Sequence, residues 1–285
     1  MKSYCILGWS LILIHVLLAA AFAPAGWSGT EAALFGALYL VVVWGISGLY
    51  VADILHMGLA HRALAFPDWF VKGVTLLNAL VGIYVDPRAW VNRHRHHHAF
   101  ADREGDPSKH AEDGFWKTLY LCLAPYPCKT DLAGDVIFAS RTLRVACHPS
   151  FAFLSQAASF GLVWVAVQDP WFALVLWTGV RLVALWVNMI QNFWSHDRRF
   201  GSRRYHDDRD NGMNLTEWLP VTATFSACLQ NNHHHHPQFA RMSHDEAQYD
   251  FGLTSLRWLK ACRLVQVRAS GAEVPPGVPL PNAGL

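Results

Sequence analysis

The sequence predicts an all-α integral membrane protein, with four transmembrane helices and a cytoplasmic helical cap that carries a histidine-rich metal site. Three observations point there. Of 285 residues, 53% are hydrophobic and only 15% charged, a balance too apolar and too charge-poor for an ordinary soluble domain of this length. Four apolar stretches are long enough to cross ~30 Å of hydrocarbon as helices. The chain also holds 16 histidines, most of them gathered in a few short runs.

The first two spans lie within residues 3–61, which contain no lysine or arginine, at about 4–24 and 33–54. Between them Pro24-Ala-Gly-Trp-Ser-Gly-Thr-Glu31 is a turn-forming run, so the pair reads as a helical hairpin. A second stretch without lysine or arginine, 145–180, is interrupted by Gln168-Asp169-Pro170 and opens spans at about 151–167 and 171–192. The last contains Arg181, which is costly at membrane depth unless it faces protein or water. Both short connections lack basic residues, whereas segments 62–144 and 198–268 carry nearly all of them. The positive-inside bias then puts both termini, the long middle segment and every histidine cluster on the cytoplasmic face. An alternative reading of the start, Lys2 with an apolar run and Ala21-Phe22-Ala23 as a secretory signal, leaves an odd number of spans and splits the basic segments between opposite sides.

The semi-apolar run 71–85 is short for a crossing and is expected to lie along the interface or re-enter. The proline-rich end implies a disordered tail at 270–285, and the chain, 1–285, reads as a single domain. A net charge of +2 and the lack of a basic tract interleaved with aromatics exclude a nucleic-acid partner. Cys5, Cys122, Cys128, Cys147, Cys228 and Cys262 form no CxxC pair, so they read as reduced fillers rather than metal or redox ligands.

Four histidine clusters remain: His56-Met-Gly-Leu-Ala-His61-Arg62; His94-Arg-His-His97-His98 with the following Phe100, Asp102, Asp106 and Pro107; Asn192-Phe-Trp-Ser-His196; and Gln230-Asn-Asn-His233-His234-His-His236-Pro237. On a helix His94 and His98 share a face with His97 beside them, and Asn192 and His196 share another. Imidazole suits zinc, copper, iron and nickel, and eight or more exceed the four ligands of one tetrahedral zinc, so two ions fit the count. His15 and His148 are isolated and read as hydrogen-bonded structural residues. His110, His206 and His244 sit among charges and read as solvated surface. His96, His235 and His236 stay open, because consecutive residues of a run cannot all point the same way.

The pattern resembles the membrane fatty acid desaturase family, in its stearoyl-CoA-type delta-9 and bacterial acyl-lipid branch, over most of the chain from about residue 40. His56/His61-Arg62 matches its HxxxxHR; His94, His97, His98, Phe100, Asp102, Asp106 and Pro107 match HxxHHxFxDxxxDP; Asn192/His196 matches NxxxH; and Asn231 to His234 with Pro237, Ala240 and Arg241 follows the last box. One departure is Gln230, where the family usually has the first histidine of that box. An amide oxygen ligates iron more weakly than imidazole, and His235-His236 offers a compensating pair. The resemblance implies a di-iron, O2-dependent enzyme that introduces a double bond into a long fatty acyl chain carried on coenzyme A, a carrier or a lipid. It implies two iron ions (Fe2+/Fe3+) held by His56, His61, His94, His97, His98, His196, His233 and His234. Gln230 and Asn192 are weaker ligand candidates, and Asp102 and Asp106 either orient ligand N–H groups or end a loop. With no haem, flavin or iron–sulfur motif in the chain, electrons are expected from a separate ferredoxin-, rubredoxin- or cytochrome b5-like donor with its reductase. A fatty acyl hydroxylase, acetylenase or terminal-olefin-forming enzyme would use the same ligands. A membrane metal transporter would instead place ligands near the middle of its spans, and a non-catalytic metal-binding protein is the remaining rival.

Overall fold

A computed structural model describes residues 2–107, 110–124, 128, 130–206, 210–245 and 247–268; the tail expected at 270–285 lies outside the described residues. The N-terminal hairpin is present as α1 (Ser3–Ala21) and α2 (Gly29–Gly48). Its turn ends in a capping box: Ser28 Oγ accepts the Glu31 N–H at 3.2 Å and the Glu31 carboxylate accepts the Ser28 N–H at 2.7 Å. α2 runs directly into a π-helix, Leu49–Ala60, so the second apolar helix outlasts the 33–54 stretch by the turn that carries His56. There follow α3 (Asp68–Leu80), α4 (Pro87–Phe100), α5 (His110–Leu123, broken at Gly114) and the short α6 (Gly134–Ile137) and α7 (Arg141–Ala146). α8 (Pro149–Val167) and α9 (Pro170–Asn192) form the second apolar pair, and α9 is extended by a 3-10 turn, Trp194–His196. The C-terminal part holds α10 (Trp218–Ala223), α11 (Gln230–His235) and α12 (Phe251–Ala261). The all-helical expectation has one small exception, an antiparallel ribbon of β1 (Leu64–Ala65) and β2 (Gln266–Val267).

Three of these helices start by one device. In α4, α8 and α9 a proline occupies the first turn, where its missing N–H costs nothing, and the preceding side chain accepts the next free N–H groups. Asp86 serves Arg88 and Ala89, His148 serves Ser150, and Asp169 serves Trp171 and Phe172. His148 is thus the structural residue that its isolation suggested. His15 is another: it is buried and its Nε2 lies 3.1 Å from the Gly36 carbonyl oxygen, while a Cβ at Gly179 would overlap its ring.

Among the described residues four helices are long and apolar enough to cross a membrane, and only 17–39% of their most apolar windows is buried inside the protein. The remaining apolar surface is outward, where lipid rather than water would satisfy it. α1 packs on α2 and α9: Trp186 Nε1 donates to the Tyr4 carbonyl at 2.9 Å, and the Tyr4 hydroxyl donates to Glu217 at 2.6 Å. A side chain at Gly8 would overlap the Trp186 ring, so this crossing requires glycine. Arg181 meets protein, as its depth demands; its guanidinium lies 3.3 Å from the Trp177 ring centre and donates to the Gln156 side chain at 2.6 Å. α3 occupies part of the 71–85 run as an amphipathic helix, with Val74, Thr75, Asn78 and Ala79 buried and Trp69, Leu76, Leu77 and Leu80 exposed. All six cysteines are free.

Candidate metal centre

The π-helix makes the first pairing possible. Its hydrogen bonds close over five residues, and the His61 N–H donates to the His56 carbonyl at 3.0 Å. Residues five apart, which an α-helix would turn to different sides, are thereby stacked, and the His56 and His61 rings lie 4.9 Å apart. Arg95 of α4 clamps this helix end: its guanidinium donates to the Leu59 and Ala60 carbonyls at 2.6 and 3.1 Å and pairs with Asp135 at 2.6 Å. Those carbonyls have no partner within the helix, so the clamp satisfies them and sets the π-helix against α4.

Two histidine groups result. In the larger, one nitrogen from each of His56, His61, His94, His98 and His233 lies within 4.8 Å of all the others; in the smaller, His97, His196 and His234 meet by the same measure. Nε2–Nε2 separations are 2.9 Å for His56–His233, 2.7 Å for His61–His94, 3.1 Å for His98–His233 and 3.3 Å for His97–His234. α4 and α11 each feed both groups. Consecutive helix residues are about 100° apart around the axis, so His97 and His233 leave for opposite groups from His98 and His234. His94 and His98, which share a face, meet in the larger group, while His97 beside them enters the smaller.

Behind the imidazoles the groups differ. His97 Nδ1 lies 2.8 Å from Asp106, and His196 Nδ1 lies 3.0 Å from Asp102. Asp102, at a positive φ of 57°, also accepts the Asn211 N–H at 2.9 Å, and Asp106 accepts the Asp102 N–H at 2.6 Å. The two aspartates thus both orient histidine N–H groups and close the loop after α4. In the larger group His94 stacks on Trp90 at 4.9 Å, and the His233 Nδ1 is buried without a partner among the described residues. Burial holds His61, His94, His98, His233 and His234 neutral, well below the ordinary imidazole value. Burial alone would raise Asp102, but the His196 charge and hydrogen bond, with the Asn211 N–H, hold it ionised well below the usual carboxylate range.

These residues fit a pair of metal ions. Imidazole nitrogens bound at ~2.0–2.1 Å and roughly 90–110° apart are separated by ~2.8–3.4 Å; His56–His233, His98–His233 and His97–His234 fall in that range and His61–His94, at 2.7 Å, just below it. Hydrogen bonding alone does not account for it, because a neutral imidazole has one N–H and five ring nitrogens cannot all find donors in each other. The Gln230 side-chain oxygen is also buried without a hydrogen-bond partner among the described residues, one turn before His233 and His234 on α11. The Asn192 side-chain N–H donates to the Asn188 carbonyl at 2.7 Å, one turn back on α9, which orients the amide without engaging its oxygen.

Of the undecided histidines, His96 bonds the Thr130 carbonyl at 3.0 Å, and His235 is exposed and stacks on Tyr205 at 3.9 Å. His236 stacks on Phe239 at 4.7 Å, so the pair turns away from the metal groups and does not compensate for Gln230. His206 is exposed as expected, and the His110 side chain lies outside the described residues. His244 corrects the surface reading: it is 2% exposed, its Nδ1 accepts from the Tyr205 hydroxyl at 3.1 Å, and burial pushes it down to about 3. The sequence reading missed Arg95, Asp135, Trp90 and the two asparagines of the last cluster. Asn231 accepts the Arg204 and Tyr205 N–H groups at 2.8 Å, and Asn232 donates to Met242 and Gln248 at 2.9 Å. Their signal was only adjacency to histidine.

Apolar helices around a buried polyhistidine site define the class: a membrane-type helical protein with a candidate two-metal centre. No family model matches the chain. It is 27% identical over 242 residues to delta-9 acyl-lipid desaturase 2 of Arabidopsis thaliana, covering 81% of this chain and 72% of that protein. It is 28% identical over 224 residues to the sn-2 palmitoyl-lipid 9-desaturase of a Nostoc strain, covering 75% and 74%. It is 29% identical over 238 residues to acyl-CoA 5-desaturase AL21 of Anemone leveillei, covering 78% and 65%. Over three quarters of its length the chain is thus similar to curated acyl-lipid and acyl-CoA desaturases.

Proposed function

We propose that this protein is an O2-dependent, di-iron fatty acyl desaturase of a membrane, which converts adjacent methylenes of a long acyl chain into a double bond. The observation that carries the reading is the convergence of eight imidazoles from four separate segments into two neighbouring groups at the ends of apolar helices. A transporter would set such ligands midway along its spans. The relatives are named for acting on acyl-lipid and acyl-CoA substrates, which leaves the head group open between the two.

In this reading His56, His61, His94, His98 and His233 hold one iron, and His97, His196 and His234 hold the other with Gln230 as a further donor. When bound, the irons supply with O2 an oxidant able to take two hydrogens from unactivated C–H bonds, chemistry beyond side-chain acids and bases. Asp106 and Asp102 keep the Nδ1 protons of His97 and His196, so each Nε2 presents a lone pair and its ring is fixed. Burial excludes water from the site and keeps the other imidazoles unprotonated, as ligation requires. The tryptophan- and phenylalanine-rich scaffold suits an apolar chain. Basic segments 62–144 and 198–268 argue for four crossings with both termini and the metal centre cytoplasmic, and for a single domain. The electron pair for each turnover comes from a separate ferredoxin-, rubredoxin- or cytochrome b5-like donor.

The test is expression in a host that makes no unsaturated fatty acids, with lipid analysis and iron determination on the purified protein. Unsaturated acyl chains and about two irons per chain are expected. Intact, iron-loaded protein that yields no new double bond with a reducing partner overturns the desaturase reading, and a hydroxylated product moves it to a hydroxylase.

A further inference from the structure

Away from the histidines, α7 and the start of α8 share an open groove of about 560 Å³ lined by Arg141, Arg144, Val145, His148, Phe151 and Leu154. Arg141, Arg144 and Val145 share one face of α7 by i, i+3, i+4 spacing, Phe151 and Leu154 are i, i+3 on α8, and the groove joins the two sets through His148 at the α8 cap. Its chemistry changes along its length. The first part presents two exposed guanidiniums and an exposed imidazole, and the part beyond Pro149, where the apolar span begins, presents Phe151 and the exposed Leu154.

No carboxylate among the described residues is in an ion pair with Arg141 or Arg144. None of the lining residues is acidic. The carboxylates of the neighbouring segments are engaged: Asp86 caps α4, Asp131 pairs with Arg88 at 2.7 Å, and Asp135 pairs with Arg62 and Arg95. Arg144 donates one guanidinium N–H to the Phe138 carbonyl, which fixes the head group and leaves its remaining N–H groups for other acceptors. His148 accepts the Ser150 N–H on Nδ1 at 3.2 Å, so its Nε2 carries a proton and is a donor.

We infer that this groove binds one anionic phospholipid of the surrounding bilayer, its phosphodiester held by Arg141, Arg144 and His148 and the first part of an acyl chain lying on Val145, Phe151 and Leu154. A guanidinium pair matches phosphate in charge and geometry. The switch from basic to apolar at the start of a span matches the switch from headgroup to hydrocarbon in a leaflet. The inference rests on the four-span membrane reading and not on the reaction, since no histidine of the metal groups lines the groove.

The experiment is native mass spectrometry of the full chain in detergent, titrated with phosphatidylglycerol, with phosphatidylcholine, or with inorganic phosphate. Wild type is expected to retain one phosphatidylglycerol in preference to phosphatidylcholine and to hold inorganic phosphate far more weakly. Arg141→Gln should weaken retention roughly five-fold, Arg141→Lys should keep most of it, and Leu154→Gln should weaken it without touching the charge. Equal retention of both lipids by wild type, or unchanged retention in monodisperse Arg141→Gln and Leu154→Gln protein, overturns the site. Phosphate binding as strong as lipid binding replaces it with a free-anion site. None of these outcomes depends on desaturase activity, so the two readings fail separately.

Discussion

His56, His61, His94, His98 and His233 gather five imidazoles with no carboxylate hydrogen-bonded to them among the described residues, whereas His97, His196 and His234 gather three, two of which have an aspartate behind the ring. The larger group relies on the number of ligands, and the smaller on the quality of each, because a carboxylate on Nδ1 raises the basicity of Nε2 and fixes the ring. The contrast teaches where the chain is vulnerable. One ligand lost from three is a larger fraction than one lost from five.

The largest expected effect follows directly. His234→Ala or His97→Ala should abolish product and lower iron from about two per chain to about one, with helix content by circular dichroism unchanged because the apolar spans do not depend on the ligands. His98→Ala should leave four imidazoles and retain more iron; equal loss in His98→Ala and His234→Ala breaks the comparison. Asp106→Asn and Asp102→Asn are next, and each should weaken iron binding about 10–100-fold in chelator competition. A Trp90→Leu change behind His94 should do less.

Acidity separates the groups more gently. His61, His94, His98 and His233 of the larger group, and His234 of the smaller, are held below the ordinary 6.5 by burial. As pH falls through 6.5 the unfolded chain takes up protons that the folded, metal-free chain refuses, so stability falls, by up to ~1.4 kcal/mol per pH unit for each residue. Asp102 has the opposite charge type, and its contribution is lost only below the ordinary carboxylate range. The melting temperature of metal-free protein should therefore be flat above pH 7.5 and fall between pH 7 and 5. Replacing His94 and His98 together should flatten that fall more than replacing His234; an unchanged slope would show that these rings are solvated. Gln230→His should raise iron affinity in the smaller group by less than about ten-fold and leave activity intact or higher, while iron loss would mean the amide is specifically required. The smallest effect is expected at His235, where Phe should keep the Tyr205 stack and leave both irons in place.

Much of this was legible in the chain itself. The four long helices begin within a few residues of the apolar stretches, and Ser-x-x-Glu, His-Pro and Asp-Pro caps mark three of those starts. The eight histidines could be singled out because a run of imidazoles at span ends has no other economical explanation. His244 was misjudged because Arg241 and Asp245 beside it suggested solvent, while the fold turns it inward under Tyr205.

Composition and spacing by themselves determined the membrane class, the helical hairpins and the candidate histidines, since those depend on local periodicity and side-chain chemistry. Only the tertiary structure decided how the donors divide. Winding Leu49–Ala60 as a π-helix to stack His56 on His61, splitting His97 from His98 and His233 from His234, and closing Asp102 and Asp106 beneath the imidazoles all depend on contacts between segments as far apart as His56 and His233. No local pattern encodes such distances.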